Sequence, residues 1–531
     1  MDMIQSIYFN DRALNKYYDL RINKIYKETK IELKTKGENY EVERLSISFE
    51  LLFPIISYRS SMYSWEDYYD NEVIISTHCS KIIFLSDGSH IMASKNLGAW
   101  IIKNNKLIEW VLLSPSLQPH FQYKNTENER REFKKFFNAE NYSMSLLYTK
   151  KRVPEFSRSK IPFKSIICFT DHPDFDTGFL MKKQLDFFSK HDVKISKGFF
   201  LKNFSKIDKY SSYENDKDII LSFRDGGHEL FYHSLTNSIR EKNESLKEFT
   251  EFVCPKNLIV QVYVDHGYHP YNFTQINKSG LNEKHWAKII ADKKIKYLWN
   301  YMDSGIGGDR IINQLNSSHF TPYRFLKASR FNLFYFIRNI SLYSGNEEMF
   351  SIYKKLVQII KRKQILGFLK FGIVYFLRLF VFSMKMIFLK RKSILNNSKF
   401  SPFIFETKIG ERTFTLFQTL EVTNFEKSFS PKNIDLLIKE SGAVIVHCYF
   451  SSPVKHHKGK LFRNNKVTKI NNRNFKYIKR KIDLLEIWNP TISELIDFSK
   501  KTFDMEFRWD ERKKKIISES KAVPIRYIKY E

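Results

Sequence analysis

Residues Ser165–Thr177 read SIICFTDHPDFDT, and the interpretation of the whole chain starts from them. The apolar run Ile166–Phe169 is bounded by a turn sequence, which predicts a buried strand. Pro173 ends it because proline has no N–H for the sheet ladder. A rigid core strand fixes reactive side chains at its end, so the polar groups here are candidates for a functional site. These are Asp171, His172, Asp174 and Asp176. The alternative is a polar turn that caps the next helix, with Asp176 or Thr177 at the N-cap.

The basic charge of the chain is local. The 531 residues carry a net charge of +30. Residues 361–392 hold nine Lys or Arg and no acid, and residues 451–482 hold eleven and no acid. Local basicity indicates an anionic partner for those faces. The candidate partners are a membrane surface, an acidic glycan, a nucleotide or a nucleic acid. Because the sequence has no nucleic-acid-binding motif of the usual kinds, we expect no nucleic acid.

Cysteine usage and the N-terminus bear on the compartment. The four cysteines, Cys79, Cys168, Cys254 and Cys448, are widely scattered and have no metal-binding spacing. This pattern is typical of buried thiols in a reducing compartment. The first residues have no basic segment followed by an apolar core, so we expect no signal peptide. The prediction is a cytoplasmic protein that could lie at the inner membrane.

The pattern along the chain predicts an α/β protein. Short β-like runs dominate residues 44–123, whereas residues 1–40 are helix-leaning and 124–150 resemble a helical connector. From residue 161, strands alternate with amphipathic helices, which is typical of βα units. We therefore predict a distorted (β/α) barrel with a β-rich N-terminal domain and a helical basic insertion. The expected parts are an N-terminal accessory domain (1–150), the first part of the barrel (155–320), the insertion (321–400), and the second part of the barrel with a C-terminal tail (401–531).

Four further segments gather polar side chains where predicted strands end. The first runs from His228 to His233, and the second is Asp265-His266. The third runs from Trp299 to Asp303, and the fourth ends an apolar strand at His447. Strand ends that present Asp and His repeatedly are typical of the functional rim of a barrel.

The order of these motifs resembles the polysaccharide deacetylases of carbohydrate esterase family four, the NodB-type enzymes. Phe169-Thr170-Asp171-His172 stands where the family has Thr-Phe-Asp-Asp, the segment from His228 to Ser234 matches the second motif, and Ile445-Val446-His447 matches the last. The resemblance covers roughly 161–320 and 401–490. The departures are His172 in place of a metal-binding Asp, Asn237 in place of a second metal-binding His, and two missing segments, Arg-x-x-Pro and Asp-x-x-Asp-Trp.

The resemblance implies a barrel of the deacetylase type and a metal-dependent deacetylase that removes N- or O-acetyl groups from a bacterial surface polysaccharide or its precursor. It implies Asp171 as general base and His447 as general acid. The expected cofactor is a divalent metal, for which the mixed N/O donor set favours zinc, and it would be held by His172, His233 and one of Asp174 or Asp176. The expected substrate-contacting residues are His228, Asp265, His266, Trp299 and Asp303.

Two other functions remain open on the sequence. One is a catalytically inactive glycan-binding relative, and the other is a glycosidase that uses paired carboxylates. A metal at His172 and His233 would separate the deacetylase from both.

Residues 361–392 predict a helix with a cationic stripe. Lys363, Lys370, Arg378, Lys385 and Lys392 recur every seven or eight residues. At about 100° per residue they share a sector roughly 80° wide, and the rest of the circumference is largely apolar. A narrow cationic stripe favours a helix lying in the membrane interface, with its lysines reaching anionic headgroups. The alternative is a helix packed on the barrel with a solvated stripe.

Overall fold

The computed structural model describes residues 3–38, 40–123, 131–204, 210–236, 242–256, 258–266, 283–329, 332–361, 364–422, 424–452 and 461–531. Two antiparallel sheets build the N-terminal domain, as the β-rich pattern predicts. In spatial order the first sheet comprises Ile4–Phe9, Leu45–Leu51, Leu107–Leu113, Ala99–Asn104 and Val73–Ile75. The second comprises Tyr18–Ile25, Glu28–Thr35, Tyr142–Thr149, His90–Ala93, Ile82–Leu85, Ile55–Arg59 and Trp65–Asp67. Trp100 and Trp110 pack edge to face in the core of this domain.

Two sequence expectations for this domain are wrong. The first is a helix-leaning N-terminus, because residues 3–38 are mainly strands. The second is a helical connector at 124–150, because Tyr142–Thr149 is a strand that lies between two others of the second sheet. The strand Glu28–Thr35 alternates buried and partly buried side chains over most of its length, which is typical of a sheet with one face in the core. Tertiary pairing therefore overrides the local helical preference of the Lys-rich sequence.

Seven parallel strands close into a barrel, and an α/β barrel with a β-rich N-terminal domain is confirmed. We label the barrel strands β1 (Ser165–Asp171), β2 (Ser196–Phe199), β3 (Glu229–His233), β4 (Val262–Val264), β5 (Tyr297–Ile306), β6 (Arg412–Glu421) and β7 (Ala443–Cys448). Each pairs with the next, and β7 pairs with β1. Two extra strands join the sheet: Ile404–Ile409 runs antiparallel to β6, and Ile487–Trp488 runs parallel to the start of β1.

The seam between β1 and β2 is short. Its register joins only Thr170 to Ser196 and Asp171 to Lys197, at the carboxyl end of β1. Lower down, the side-chain amide of Asn489 bridges the two strands. Its nitrogen donates to the carbonyl oxygens of Ile167 and Lys194, at 2.9 and 3.2 Å, and its oxygen accepts from the Lys194 N–H at 2.7 Å. A side-chain amide thus replaces missing ladder bonds.

Alternation along the strands separates two apolar layers. Ile166 and Cys168 of β1 pack inside the barrel with residues of β3 to β7. Ile167 and Phe169 face outward onto the helices. Because successive side chains in a strand point to opposite faces, His172 continues the inward series, whereas Asp171 continues the outward one.

The helices cover the barrel and build the insertion. We label α1 (Gly178–His191), α2 (Leu333–Tyr343), α3 (Glu347–Lys361) and α4 (Ile365–Leu389), the last including one π-turn at Phe368–Gly372. The other α-helices in the described part of the chain are Tyr213–Asp225, Lys242–Glu251, Glu283–Asp292, Pro322–Ala328, Phe425–Ser428, Pro431–Lys439, Lys469–Asp483 and Ile492–Phe503. Short 3-10 turns span Arg12–Lys16, Ser317–His319 and Asn396–Ser398. Thr177 caps α1, since its hydroxyl accepts a bond from the Leu180 N–H, as the capping alternative for this segment predicts.

The C-terminal segment returns to the N-terminal domain. Strand Ile525–Ile528 pairs with Val153–Phe156, and Glu155 in that pair is buried. Its carboxylate accepts hydrogen bonds from Arg59, at 2.6 Å, and Arg526, at 2.7 Å. The remaining short strand pairs are Phe121–Tyr123 with Arg131–Phe133, Phe137–Asn138 with Glu41–Val42, Phe462–Arg463 with Lys466–Val467, and Phe507–Asp510 with Lys515–Ser518.

Glu155→Gln should destabilise the fold strongly. The change leaves the buried Arg59 guanidinium without its counter-charge, and breaking a buried pair costs about 3–5 kcal/mol. The measurement is the free energy of unfolding from urea denaturation. Glu506→Gln is the control, because its pair with Lys95 is exposed on both sides and such pairs contribute about 0–1 kcal/mol. Equal losses in the two variants would contradict the buried-pair interpretation.

Candidate functional site

Three side chains at the carboxyl ends of β1 and β3 form a candidate metal centre. His172, Asp174 and His233 each offer one ligand atom, and these atoms lie within 4.8 Å of one another. The two imidazole centroids are 4.6 Å apart. The Asp174 carboxylate contacts two imidazoles. Its Oδ2 lies 3.1 Å from Nε2 of His233, and its Oδ1 lies 2.7 Å from Nε2 of His266. The geometry brings together residues from three strand ends.

A histidine–carboxylate pair lies beside this trio. The His447 ring stacks on the His172 ring at 3.9 Å between centroids. Its Nδ1 lies 3.0 Å from Oδ1 of Asp303, and its Nε2 lies 3.0 Å from the Tyr449 hydroxyl. Trp299 meets both stacked rings edge-on, at 5.6 and 5.3 Å. Inward positions at the ends of β5 and β7 supply this second group.

Thr419 fixes the carboxylate of the pair. Its hydroxyl donates to Oδ1 of Asp303 at 2.5 Å and accepts from the Trp299 indole N–H at 2.9 Å. An oriented carboxylate in turn fixes the ring orientation of the histidine it contacts. The His447 imidazole is therefore held from both of its nitrogens.

The imidazoles of the site differ in proton affinity. Burial lowers the pKa of His172 well below its ordinary value, and the neighbouring His447 and His233 lower it further. Burial also lowers the pKa of His233, against the opposing effect of Asp174. For His447 burial lowers the pKa, but Asp303 outweighs it and the net shift is upward. For Asp174 burial raises the pKa, yet His266 and His233 bring it well below its usual range.

Asp171 and Asp176 lie apart from the trio, on the outer side of β1. Both carboxylates bind the buried Lys197 ammonium, which also donates to Oε1 of Gln184 at 2.9 Å. Asp171 accepts from the Phe450 N–H at 2.8 Å, and Asp176 from the Gln184 amide at 2.9 Å. Burial raises the pKa of Asp171 to about 7 against the opposing effect of Lys197. The structure therefore gives the Asp171 carboxylate a salt bridge, not a place beside His172, and it leaves Asp174 as the carboxylate of the trio.

The predicted substrate-contacting residues divide between the two ends of the barrel. His266, Trp299 and Asp303 lie at the trio or at the stacked histidines. Asp265 is buried directly after β4, in the outward phase of the strand. His228 precedes β3, five residues and roughly 16 Å of strand from His233. Its Nδ1 accepts from the Ile195 N–H at 3.3 Å, and its ring packs on Phe223. A substrate contact for His228 is therefore not supported, because the residue lies at the opposite end of the barrel.

Sequence reasoning missed Lys197, Thr419 and Tyr449. Lys197 could have been noticed in the sequence, because a charged residue within the predicted buried strand Val193–Phe200 needs a buried partner of opposite charge. Tyr449 also gave a signal, since it follows His447 by two residues and so shares its strand face. Thr419 gave none, because it is one of three threonines in the strand Arg412–Glu421.

The donor set fits a divalent metal. Two imidazoles and one carboxylate are a set that zinc accepts while keeping an open position. Nδ1 of His233 is buried without a hydrogen-bond partner among the described residues. No side-chain hydrogen bond joins His172 to another residue in the part of the chain that the structure describes, so both rings are available to a ligand. The lowered pKa values of His172 and His233 favour neutral rings, and the lowered pKa of Asp174 favours an ionised carboxylate, which are the forms that bind a metal.

Comparisons with known proteins add little. No family model matches the chain, and no curated protein matches it. Among solved structures, the chain is similar to a GH31 dextranase of Flavobacterium johnsoniae complexed with glucose, with 9% identity and a TM-score of 0.30, over 97% of this chain and 71% of that chain. A mutant of this dextranase complexed with isomaltotriose gives 8% identity, a TM-score of 0.30 and the same coverage. A likeness at this TM-score carries no argument about the reaction.

Lys197→Met should destabilise the protein and loosen the segment that carries His172 and Asp174. Removing the ammonium leaves two buried carboxylates facing each other, and an uncompensated buried charge costs about 3–5 kcal/mol. Urea denaturation measures the loss. Lys194→Met is the matched control on the same segment, because its pair with Glu494 is half exposed on both sides and contributes about 0–1 kcal/mol. If the Lys197 variant is as stable as the control, the buried salt bridge of Lys197 with Asp171 and Asp176 does not stabilise the fold.

Proposed function

We propose that the chain is a metal-dependent hydrolase that releases an acyl group, acetate in the first instance, from a surface polysaccharide or its precursor. The observation that carries the proposal is the trio of His172, Asp174 and His233 with His447–Asp303 stacked against it. His172, Asp174 and His233 would hold the metal. When bound, a zinc-type ion supplies Lewis acidity toward a carbonyl oxygen and lowers the pKa of water.

The protein groups around the trio can move protons. His447 has a raised pKa and is oriented by Asp303, so it can deliver a proton to a leaving amine or alkoxide. The salt bridge of Asp171 argues against the base role implied by the family resemblance. Within the described site, His447 is the group best placed to hold or transfer a proton beside the ligand atoms.

A carbohydrate substrate suits the walls of the site. Trp299 and Tyr449 border the stacked histidines, and aromatic rings with a polar edge are well suited to contact a sugar. Asp174 and Asp303 add acceptors for hydroxyl groups. These features support the substrate class and do not identify the sugar.

Glycoside hydrolysis is the second candidate. Asp174 lies beside His233 and Asp303 lies beside His447, and paired carboxylates are the usual catalysts for a glycosidic bond. The dextranases named above fit this candidate by their description, but the candidate rests on the carboxylates alone. Both carboxylates are engaged with histidines, so we place it second.

Metal binding and metal removal test the first proposal. Purified protein should bind zinc with a stoichiometry of one, measured by titration calorimetry, and His233→Gln should lose that binding because one of three ligands is gone. His228→Gln, at the other end of the same strand, should keep it. A chelator should abolish acetate release from acetylated oligosaccharides, and zinc should restore it.

The outcomes separate the candidates. Cleavage of the oligosaccharide chain that persists after chelation would replace the proposal by the glycosidase. Glycan binding without release of acetate or cleavage would leave the inactive binding protein. Equal zinc binding by the His233 and His228 variants would refute the assigned ligands.

His447→Gln should reduce turnover by about 10²–10⁴-fold, since it removes the acid–base group, and it should leave zinc binding unchanged. The measurement is kcat for acetate release by the zinc-loaded enzyme. His319→Gln is the matched control, because His319 is also buried and lies 3.1 Å from a carboxylate, that of Glu440. Among the described residues its ring bonds with Asn313 and Glu440 and with no residue of the site. If the control loses as much turnover as the His447 variant, the effect is structural and not catalytic.

A further inference from the structure

Helix α4 carries an apolar surface that the rest of the protein leaves uncovered. The helix has 25 residues, a mean hydropathy of 2.0 over its most apolar window, and only 11% of that window is buried. Among the described residues it is the one helix long and apolar enough to cross a membrane by length and composition. A core helix of a soluble protein with this composition would be mostly buried.

One face of α4 packs against α2 and α3 within the insertion. Leu379 is fully buried among Ile337 of α2 and Met349, Ile352 and Leu356 of α3. Arg378 pairs with Glu348 of α3 at 2.6 Å. These contacts fix the helix against α2 and α3 and decide which side remains open.

The open face is almost entirely apolar. Eleven large apolar side chains between residues 365 and 389 are exposed, with Leu366 at 84% and Phe388 at 79%. Phe334 of α2, exposed at 72%, extends the same surface through its ring contact with Phe376. Soluble proteins seldom expose a contiguous apolar patch of more than a few hundred Å², and larger patches mark interaction sites.

The charge of this surface selects the partner. No acidic residue occurs between 361 and 392, and nine cations do. Lys370, Lys385 and Lys390 are exposed next to the apolar side chains. Long lysine side chains can bury their carbon chains while the ammonium reaches a polar layer. An apolar face bordered by cations complements an anionic lipid leaflet, to which Lys and Arg near the surface are attracted.

The packing favours a helix that lies along the membrane and does not span it. A spanning α4 would draw α3 into the hydrocarbon, and α3 begins with Glu347-Glu348 and carries Lys354 and Lys355. Charged side chains are costly at the bilayer centre because they lose their hydration there. A helix in the interface leaves α3 on the aqueous side.

We propose that the open face of α4 docks the protein onto an anionic lipid leaflet. The docking goes beyond the proposed function and does not depend on it. Arg338 and Tyr343 of α2 bind Glu421 at the end of β6, and Glu421 is the register partner of His447. The insertion is thus attached to the barrel rim that carries the candidate site. If the proposed hydrolase activity holds, the glycan it acts on is one attached to that leaflet.

Vesicle sedimentation tests the docking. The full-length protein should pellet with vesicles containing about 30% phosphatidylglycerol at low salt, less with pure phosphatidylcholine, and less again at 0.5 M salt, where screening shortens the Debye length to under about 5 Å. The combined variant Leu366→Gln, Leu377→Gln and Phe388→Gln should lose at least ten-fold in vesicle affinity. A second combined variant carries Lys370→Gln, Lys385→Gln and Lys390→Gln. Its vesicle binding should no longer weaken as the salt concentration rises.

Matched controls separate docking from damage. Val253→Gln with Ile259→Gln changes two apolar side chains of similar exposure, 81% and 73%, on a different surface, and should leave vesicle binding unchanged. His233→Gln should also keep it, so the docking can stand even if the hydrolase proposal fails. Failure to bind anionic vesicles at low salt overturns the docking. A concentration-dependent dimer that the α4 apolar variant dissociates, without vesicle binding by the wild type, would assign the surface to a second copy of the chain.

Discussion

The Lys197 ammonium, buried between Asp171 and Asp176, is the contact on which the barrel and its rim depend. It lies at the seam where β1 meets β2 through only two register pairs, one of them Asp171 with Lys197. Burying three charges costs several kcal/mol per ion unless the geometry is good and the remaining polar sites are satisfied. Gln184 and the Phe450 N–H meet that condition. Because Asp171 and Asp176 bracket His172 and Asp174, the contact that closes the barrel also positions two candidate metal ligands.

The sequence was sufficient for the barrel and for the set of polar strand ends, but not for the face on which each side chain lies. His172, His233 and His447 could be predicted as neighbours because parallel strands end at one rim. Asp171 could not be separated from His172 by pattern, since both faces of β1 are buried and the apolar run shows no alternation. The same limit applies to residues 1–40, where sheet pairing decides the structure and Lys-rich composition favours a helix.

The site is a row of three imidazoles with a carboxylate at each end. Asp174 contacts His233 at one end, Asp303 contacts His447 at the other, and His172 lies between them. Burial lowers the pKa of all three rings, and the neighbouring carboxylates oppose this effect. Only at His447 does the carboxylate, Asp303, outweigh burial, so the pKa of His447 is raised whereas those of His172 and His233 are lowered. Three histidines that look alike in the sequence therefore acquire different chemistry from their neighbours alone.

Topology explains why the helical insertion and the candidate site share one end of the barrel. The chain leaves β5 at Ile306 and returns through Ile404–Ile409, so the residues between them start from the carboxyl rim. The antiparallel strand Ile404–Ile409 returns the chain to the start of β6. Helices α2 to α4 are therefore not needed as the crossover connection between the parallel strands β5 and β6. A helix that does not connect two barrel strands need not pack against the barrel, so one of its apolar faces can remain exposed. The Arg338–Glu421 contact then anchors the insertion beside His447, and this explains how an open apolar helix and a buried polar site become parts of one surface.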